Sequence, residues 1–166
     1  MRQRGFTLLE LVLVIIIFSL LVGVYLRSVR HYQEIAEQAT VSLTLSNIRT
    51  GMAQEWADRI VNGKAGEKVE HLVGSNPVRW LETPPPAYYG EIKNPNLERM
   101  EAAAWYFDLA QKELVYVVNN GNELEVENMS GRKVLRWKVA LEDNSSQVSA
   151  TFGNLILRPV VKYRWF

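Results

Sequence analysis

The distribution of apolar and polar positions divides the chain into three regimes. Residues 6–26 form a run of 21 positions with a single side chain charged at neutral pH, Glu10. At about 1.5 Å per residue, a helix of roughly 20 apolar residues crosses the hydrocarbon core of a bilayer, so this run predicts a membrane-spanning helix. Residues 27–62 contain no proline, and their apolar positions include Val29, Tyr32, Ile35, Ala36, Ala39, Leu43, Leu45, Ile48, Met52, Trp56 and Ile60. The late spacing of three and four is helical, and Arg30, Gln33, Glu34, Glu37, Arg49, Glu55 and Asp58 fill the polar gaps. The face from Ile48 to Ile60 is expected to pack on the protein's own core. Asn62-Gly63 is an expected helix stop. The two halves together predict one helix of more than about 50 residues, unbroken near Arg27 because no proline stands there.

Residues 63–103 are the least periodic. Gly63, Gly66, Gly74, Pro77 and the run Pro84-Pro85-Pro86 interrupt any long element. A short strand or turn is expected over 78–81 and a helical turn over 97–104. Trp80, Tyr88 and Tyr89 are expected either to cover a local core or to face neighbouring molecules.

Residues 104–166 read as β-structure. Strands are expected at 105–109, 114–119, 123–128, 133–141, 147–152 and 155–163. Asn120-Gly121 and Ser130-Gly131 read as hairpin turns. Two-residue turns would pair Val117 with Leu124, Val115 with Val126, Val126 with Leu135 and Leu124 with Trp137. All six would then share one face, and the other face would pair Glu125 with Arg136 and Glu123 with Lys138. Pro159 places part of the last strand at an edge or bulge. The expected fold class is α+β, a long helix laid on a C-terminal antiparallel sheet.

Composition narrows the function. There are no cysteines, so neither a disulfide nor a thiolate metal site exists. Setting aside Arg2, Arg4 and Glu10 leaves 17 basic and 17 acidic residues, a balance unlike that of a nucleic-acid binder. The basic cluster Arg132, Lys133, Arg136 and Lys138 reads as a solvated strand face. His31 and His71 stand 40 positions apart and suggest no metal pair. No nucleophile elbow, phosphate loop or dinucleotide turn occurs. Asp108 reads as a turn residue, and Glu142, Asp143 and Asn144 as an ordinary acidic turn with a minor claim to calcium. No catalytic residue, metal or cofactor is expected.

The apolar run differs from a secretory signal in length, and it exits into Tyr25-Leu26-Arg27-Ser28, which is no small-residue cleavage site. Nor does a plain anchor explain Glu10, since a carboxylate within a span is costly and usually functional. The heptapeptide Arg4-Gly5-Phe6-Thr7-Leu8-Leu9-Glu10 resembles the processing signal of type IV pilins and of the pseudopilins of type II secretion. That resemblance implies cleavage by a prepilin peptidase between Gly5 and Phe6, N-methylation of Phe6, and assembly through Glu10. In the family, the glutamate of an incoming subunit pairs with the N-terminal amine of its neighbour, which implies that Glu10 sets axial register. The arrangement implied is a leader over 1–5, a transmembrane half-helix over 6–26, an amphipathic half over 27–62, a connecting region over 63–103 and a sheet domain over 104–166. The implied location is the bacterial inner membrane, with the C-terminal domain outside the cytoplasm, and then a pilus or periplasmic pseudopilus. Charge alone does not orient the span, because Arg2 and Arg4 precede it and Arg27 and Arg30 follow it. Many major pilins close their C-terminal region with a disulfide, and the lack of cysteine implies a minor pilin or pseudopilin instead. The stretch Trp105-Tyr106-Phe107-Asp108, with Leu114-Val115-Tyr116, faintly resembles minor pilins of mannose-sensitive haemagglutinin-type pili. The implied partners are the peptidase, other pilins and the inner membrane, with no nucleic acid.

Overall fold

A computed structural model describes residues 7–63, 69–127, 131–141 and 155–166. One helix, α1 (Leu8–Val61), runs without interruption through the apolar and amphipathic halves. Thr7 caps it, its Oγ1 accepting the Glu10 amide at 3.3 Å, and Asn62 closes it, its amide donating to the Asp58 carbonyl. Two 3₁₀ turns follow, Val69–Leu72 and Pro77–Trp80. The second stands where a strand or turn was expected, and the Asn76 side chain caps it at the Val78 amide.

Among the described residues, seven strands follow: β1 (Tyr88–Ile92), β2 (Ala104–Asp108), β3 (Glu113–Val117), β4 (Leu124–Val126), β5 (Val134–Leu141), β6 (Leu155–Pro159) and β7 (Tyr163–Trp165). Five of them make a sheet in the order β1-β2-β3-β5-β6, and β4 with β7 makes a separate antiparallel pair. The architecture is α+β, as expected, and the five-stranded sheet is mixed because β1 runs parallel to β2. The connecting region therefore contributes a strand that its glycines and prolines concealed. In place of the helical turn expected over 97–104 there are short turns, the first closed by the Arg99 amide on the Asn96 carbonyl, and Ala104 already belongs to β2. The expected strand over 147–152 lies outside the described residues. Among the described strands β6 lies at the edge, which accommodates Pro159.

Both faces of the central strands are buried. On the helix side, Val41, Leu45 and Ile48 of α1 pack with Trp105, Phe107, Leu114, Tyr116, Leu135 and Trp137. On the other side, Ala104, Tyr106, Val115, Val117 and Val134 lie beneath Ile92, Leu97 and Met100. Arg132 ties that cover down by donating to the carbonyls of Leu97, at 3.0 Å, and Met100. This is why 104–108 and 113–117 read as near-continuous apolar runs rather than alternating ones. Trp80 and Tyr88 pack on the helix-side core, while the exposed Tyr89 stacks on Tyr106 at 5.5 Å.

The expected hairpin register is wrong. β3 pairs directly with β5, placing Val117 opposite Val134 and Leu114 opposite Trp137. β4 is displaced from the sheet and lies against β7, with Leu124 opposite Trp165 and Val126 opposite Tyr163. Val115 and Val117 thus face away from α1, whereas Leu124, Leu135 and Trp137 face it. The ion pairs differ accordingly: Glu125 meets Arg164 at 2.7 Å and Arg136 meets Glu113 at 2.9 Å, while Lys138 stands opposite Arg158. The physical reason lies at Asn120-Gly121. A type I′ turn needs positive φ at both central residues, and neither residue has it. The amides of Asn119 and Asn120 are held by the helix instead, so the chain leaves the sheet at this point.

Candidate functional site

The amphipathic half of α1 presents two opposite faces, and each does something different. The face toward the sheet carries Glu34, Glu37, Val41, Thr44, Leu45, Ile48 and Gly51, all buried, at the three- and four-residue spacing of one helical stripe. Glu37 Oε1 accepts the Tyr116 hydroxyl at 3.0 Å and the Asn119 amide at 2.8 Å, and its Oε2 accepts the Asn120 amide at 2.7 Å. One turn nearer the span, Glu34 Oε1 accepts the Glu123 amide at 2.8 Å and the Trp165 indole Nε1 at 3.1 Å. Gln38 donates to the Trp165 carbonyl at 2.9 Å.

Two carboxylates are thereby buried with no cation within 4 Å among the described residues. Such burial is costly unless donors are aimed at the charge, and here five are. Burial, the Glu37 charge and the hydrogen bond to it together hold the Tyr116 hydroxyl well above its ordinary pKa, so it remains a donor. The clamp fixes the β3–β4 connection and β7 to the helix, in a chain with no disulfide to do so. Reading Glu34 and Glu37 as polar gap-fillers missed this. The signal was present: both share a helical face with Val41, Leu45 and Ile48.

Among the described residues, nothing packs over the opposite face. Tyr25, Val29, Tyr32, Ala36, Ala39 and Leu43 recur at intervals of four and three, and Tyr25, Tyr32 and Leu43 are each more than 60 % exposed. Tyr32 and Leu43 each lie two residues, about 200° of helix rotation, from the buried Glu34 and Val41. The interval pattern is that of helix-on-helix seams. Toward the N-terminus the stripe merges with the span, whose 18-residue apolar window has no buried residue.

Glu10 lies in the first turn of α1, exposed, where the helix dipole favours a carboxylate. Among the described residues it has no ion-pair partner. Gly5 and Phe6, the expected cleavage and methylation residues, lie outside the described residues, as do Glu142, Asp143 and Asn144.

The remaining candidates have structural places. Asp108 Oδ1 accepts the amides of Ala110 and Gln111, as a turn residue does. His31 meets the ring of Phe166, and His71 lies 3.5 Å from Arg59. Lys133 donates to the carbonyls of Gly121 and Leu124. The basic cluster is thus only partly a solvated face, since Arg132, Lys133 and Arg136 are engaged within the fold. No cluster of metal-ligating side chains occurs among the described residues.

Comparison with known families decides what the N-terminus is. The profile of the prokaryotic N-terminal methylation motif matches residues 1–26. This is the type IV pilin and pseudopilin signal. No curated protein and no solved structure matches the chain. The pilin signal ends where the apolar half of α1 ends, so it covers the span and not the sheet. It implies processing by a prepilin peptidase and assembly with other pilin subunits, and with the exposed apolar helix it points to membrane anchoring.

Proposed function

We propose that this chain is a structural subunit, a minor pilin or pseudopilin, of a type IV pilus-like envelope filament. A prepilin peptidase cuts it between Gly5 and Phe6, Phe6 is N-methylated, and Glu10 guides the subunit into the filament. Before assembly it sits in the bacterial inner membrane with the sheet domain outside the cytoplasm; afterwards it belongs to a pilus or periplasmic pseudopilus. It has no catalytic role. The observation that carries this reading is the methylation motif over residues 1–26, on a helix whose apolar span is wholly exposed.

The helix supports assembly in two ways. The Glu10 carboxylate has no partner within the described fold, and a neighbour's Phe6 amine would supply one at membrane depth. The stripe from Tyr25 to Leu43 offers the next subunits an apolar seam directly above the span. A type II secretion pseudopilin acting in protein export is the alternative within the same chemistry, and the missing cysteines favour it equally. A ligand- or DNA-binding minor pilin is less well supported, because Arg132, Lys133 and Arg136 are spent on contacts within the fold.

Glu10→Ala in the native host tests assembly separately from processing. The variant is expected in membranes, cleaved, and absent from the sheared filament fraction. Incorporation at the wild-type level would contradict the role of Glu10.

A further inference from the structure

The base of the sheet domain meets α1 just beyond the apolar span. As a helix, residues 6–26 are about 31 Å long, close to the roughly 30 Å hydrocarbon core, so Leu26 marks its boundary on the domain side. His31 lies five residues further, about 7.5 Å along the axis. The ring of Phe166 packs edge-on against the His31 ring at 5.7 Å and is 50 % exposed. The headgroup layer is about 5–7 Å deep on each side, so Phe166 stands at its outer limit. Trp165, immediately before it, is fixed by Glu34 and Gln38, so this corner of the domain moves with α1 and its depth varies with the tilt of the helix.

Arg27 and Arg30 lie at the same level. They precede Glu34 by seven and four residues, so they share the helix face that the domain overhangs. Both are exposed, and neither has an ion-pair partner among the described residues. No acid lies within 4 Å of them among the described residues, and the nearest on their face, Glu34, is taken up by the Glu123 amide and the Trp165 indole. Glu125 is paired with Arg164, and Glu123, tied by its amide to Glu34, stands about 12 Å beyond Leu26, above the headgroups.

We propose that this underside, made of Arg27, Arg30 and Phe166, docks on anionic phospholipid headgroups and seats the unassembled domain on the membrane surface. The inference rests on the reading of residues 6–26 as a membrane span. The arginines take the phosphates and the Phe166 ring enters the headgroup layer beside them, the partition typical of interfacial aromatic and basic residues. Docking ends when the subunit leaves the bilayer, so it distinguishes the waiting subunit from the assembled one.

The absence of native cysteine makes a spin-label test direct. Single nitroxides are placed through Phe166→Cys, Val14→Cys and Gln111→Cys in the full-length protein. The protein is reconstituted in nanodiscs of phosphatidylethanolamine with phosphatidylglycerol, and depth is read from collision with oxygen and a nickel chelate. The label at 166 is expected at headgroup depth, and the label at 111, at the far end of the β2–β3 hairpin, in water. Phosphatidylcholine discs, or Arg27→Gln with Arg30→Gln, are expected to lower the docked population about fivefold per arginine. A label at 166 as water-exposed as that at 111, with the label at 14 in hydrocarbon, would overturn the docking and leave the span intact. A label at 14 in water would overturn the span, and the functional reading with it. Headgroup depth that persists without lipid charge or without the arginines would overturn the electrostatic docking.

Discussion

Tyr116 and Glu37 are 79 positions apart, and the hydroxyl of one donates to the buried carboxylate of the other at 3.0 Å. The bond joins the middle strand of the sheet to the helix at the point where the chain leaves the sheet. Glu37 also holds the Asn119 and Asn120 amides, so its loss strands three donors. Glu37→Ala is expected to destabilise the domain by about 2–4 kcal/mol, and Glu37→Gln by less, because one acceptor oxygen survives. Urea unfolding in detergent, followed by tryptophan fluorescence, measures both.

The same pair predicts an alkaline limit. Tyr116 titrates above its ordinary value of 10.0, mainly through burial and then through the Glu37 charge. A proton held more tightly in the folded state stabilises the fold fully below the unfolded pKa. That contribution is lost as pH rises from about 10 toward the folded value. Thermal melts should therefore fall steeply above about pH 10 in wild type and less steeply in Tyr116→Phe. Parallel curves for the two would remove Tyr116 as the cause.

Gly51 tests the packing of α1 on the Pro77–Trp80 turn. Alanine in a helix interior is ordinarily favoured over glycine by about 1 kcal/mol. Here a Cβ would lie 2.6 Å from the Trp80 carbonyl oxygen, a backbone atom that cannot rotate aside. Gly51→Ala is therefore expected to be net destabilising, by about 1–2 kcal/mol, through overpacking. Gly23→Ala, with nothing within 4 Å, should leave domain stability unchanged. Melting temperatures of the two variants give the comparison.

The strand register can be tested chemically, since any introduced cysteine pair is the only one. Glu125→Cys with Arg164→Cys places the pair directly across β4 and β7 and should oxidise to a disulfide. Glu125→Cys with Arg136→Cys, the pair a simple hairpin would create, should remain reduced. Mass spectrometry under mild oxidation distinguishes them.

What could be read from the chain followed the strength of each local signal. The span and the helix continuing past Arg27 rest on length, composition and the lack of proline, whereas the strands around Tyr106, Val115 and Trp137 rest on patterns that tertiary contacts reinforce. The register failed because Asn120-Gly121 carries a strong hairpin signal that two distant carboxylates override. Glu34 and Glu37 were illegible for the complementary reason: acids on a helix normally face water, and their donors lie 79 to 131 positions away. β1 was hidden among glycines and prolines because its pairing with β2 is parallel and non-local. Of the assembly signal, Glu10 is seen only as an exposed residue in the first helical turn, and its role in assembly rests on the motif. Gly5 and Phe6 rest on the motif alone.

Processing at the N-terminus is the central claim, and intact mass measures it most directly. The protein is purified from membranes with and without an active prepilin peptidase, as wild type and as Gly5→Val. The expected result is loss of residues 1–5 and gain of one methyl group on Phe6, dependent on both the peptidase and Gly5. A chain that keeps its full mass beside an active peptidase would contradict the pilin account and leave residues 6–26 as an ordinary anchor.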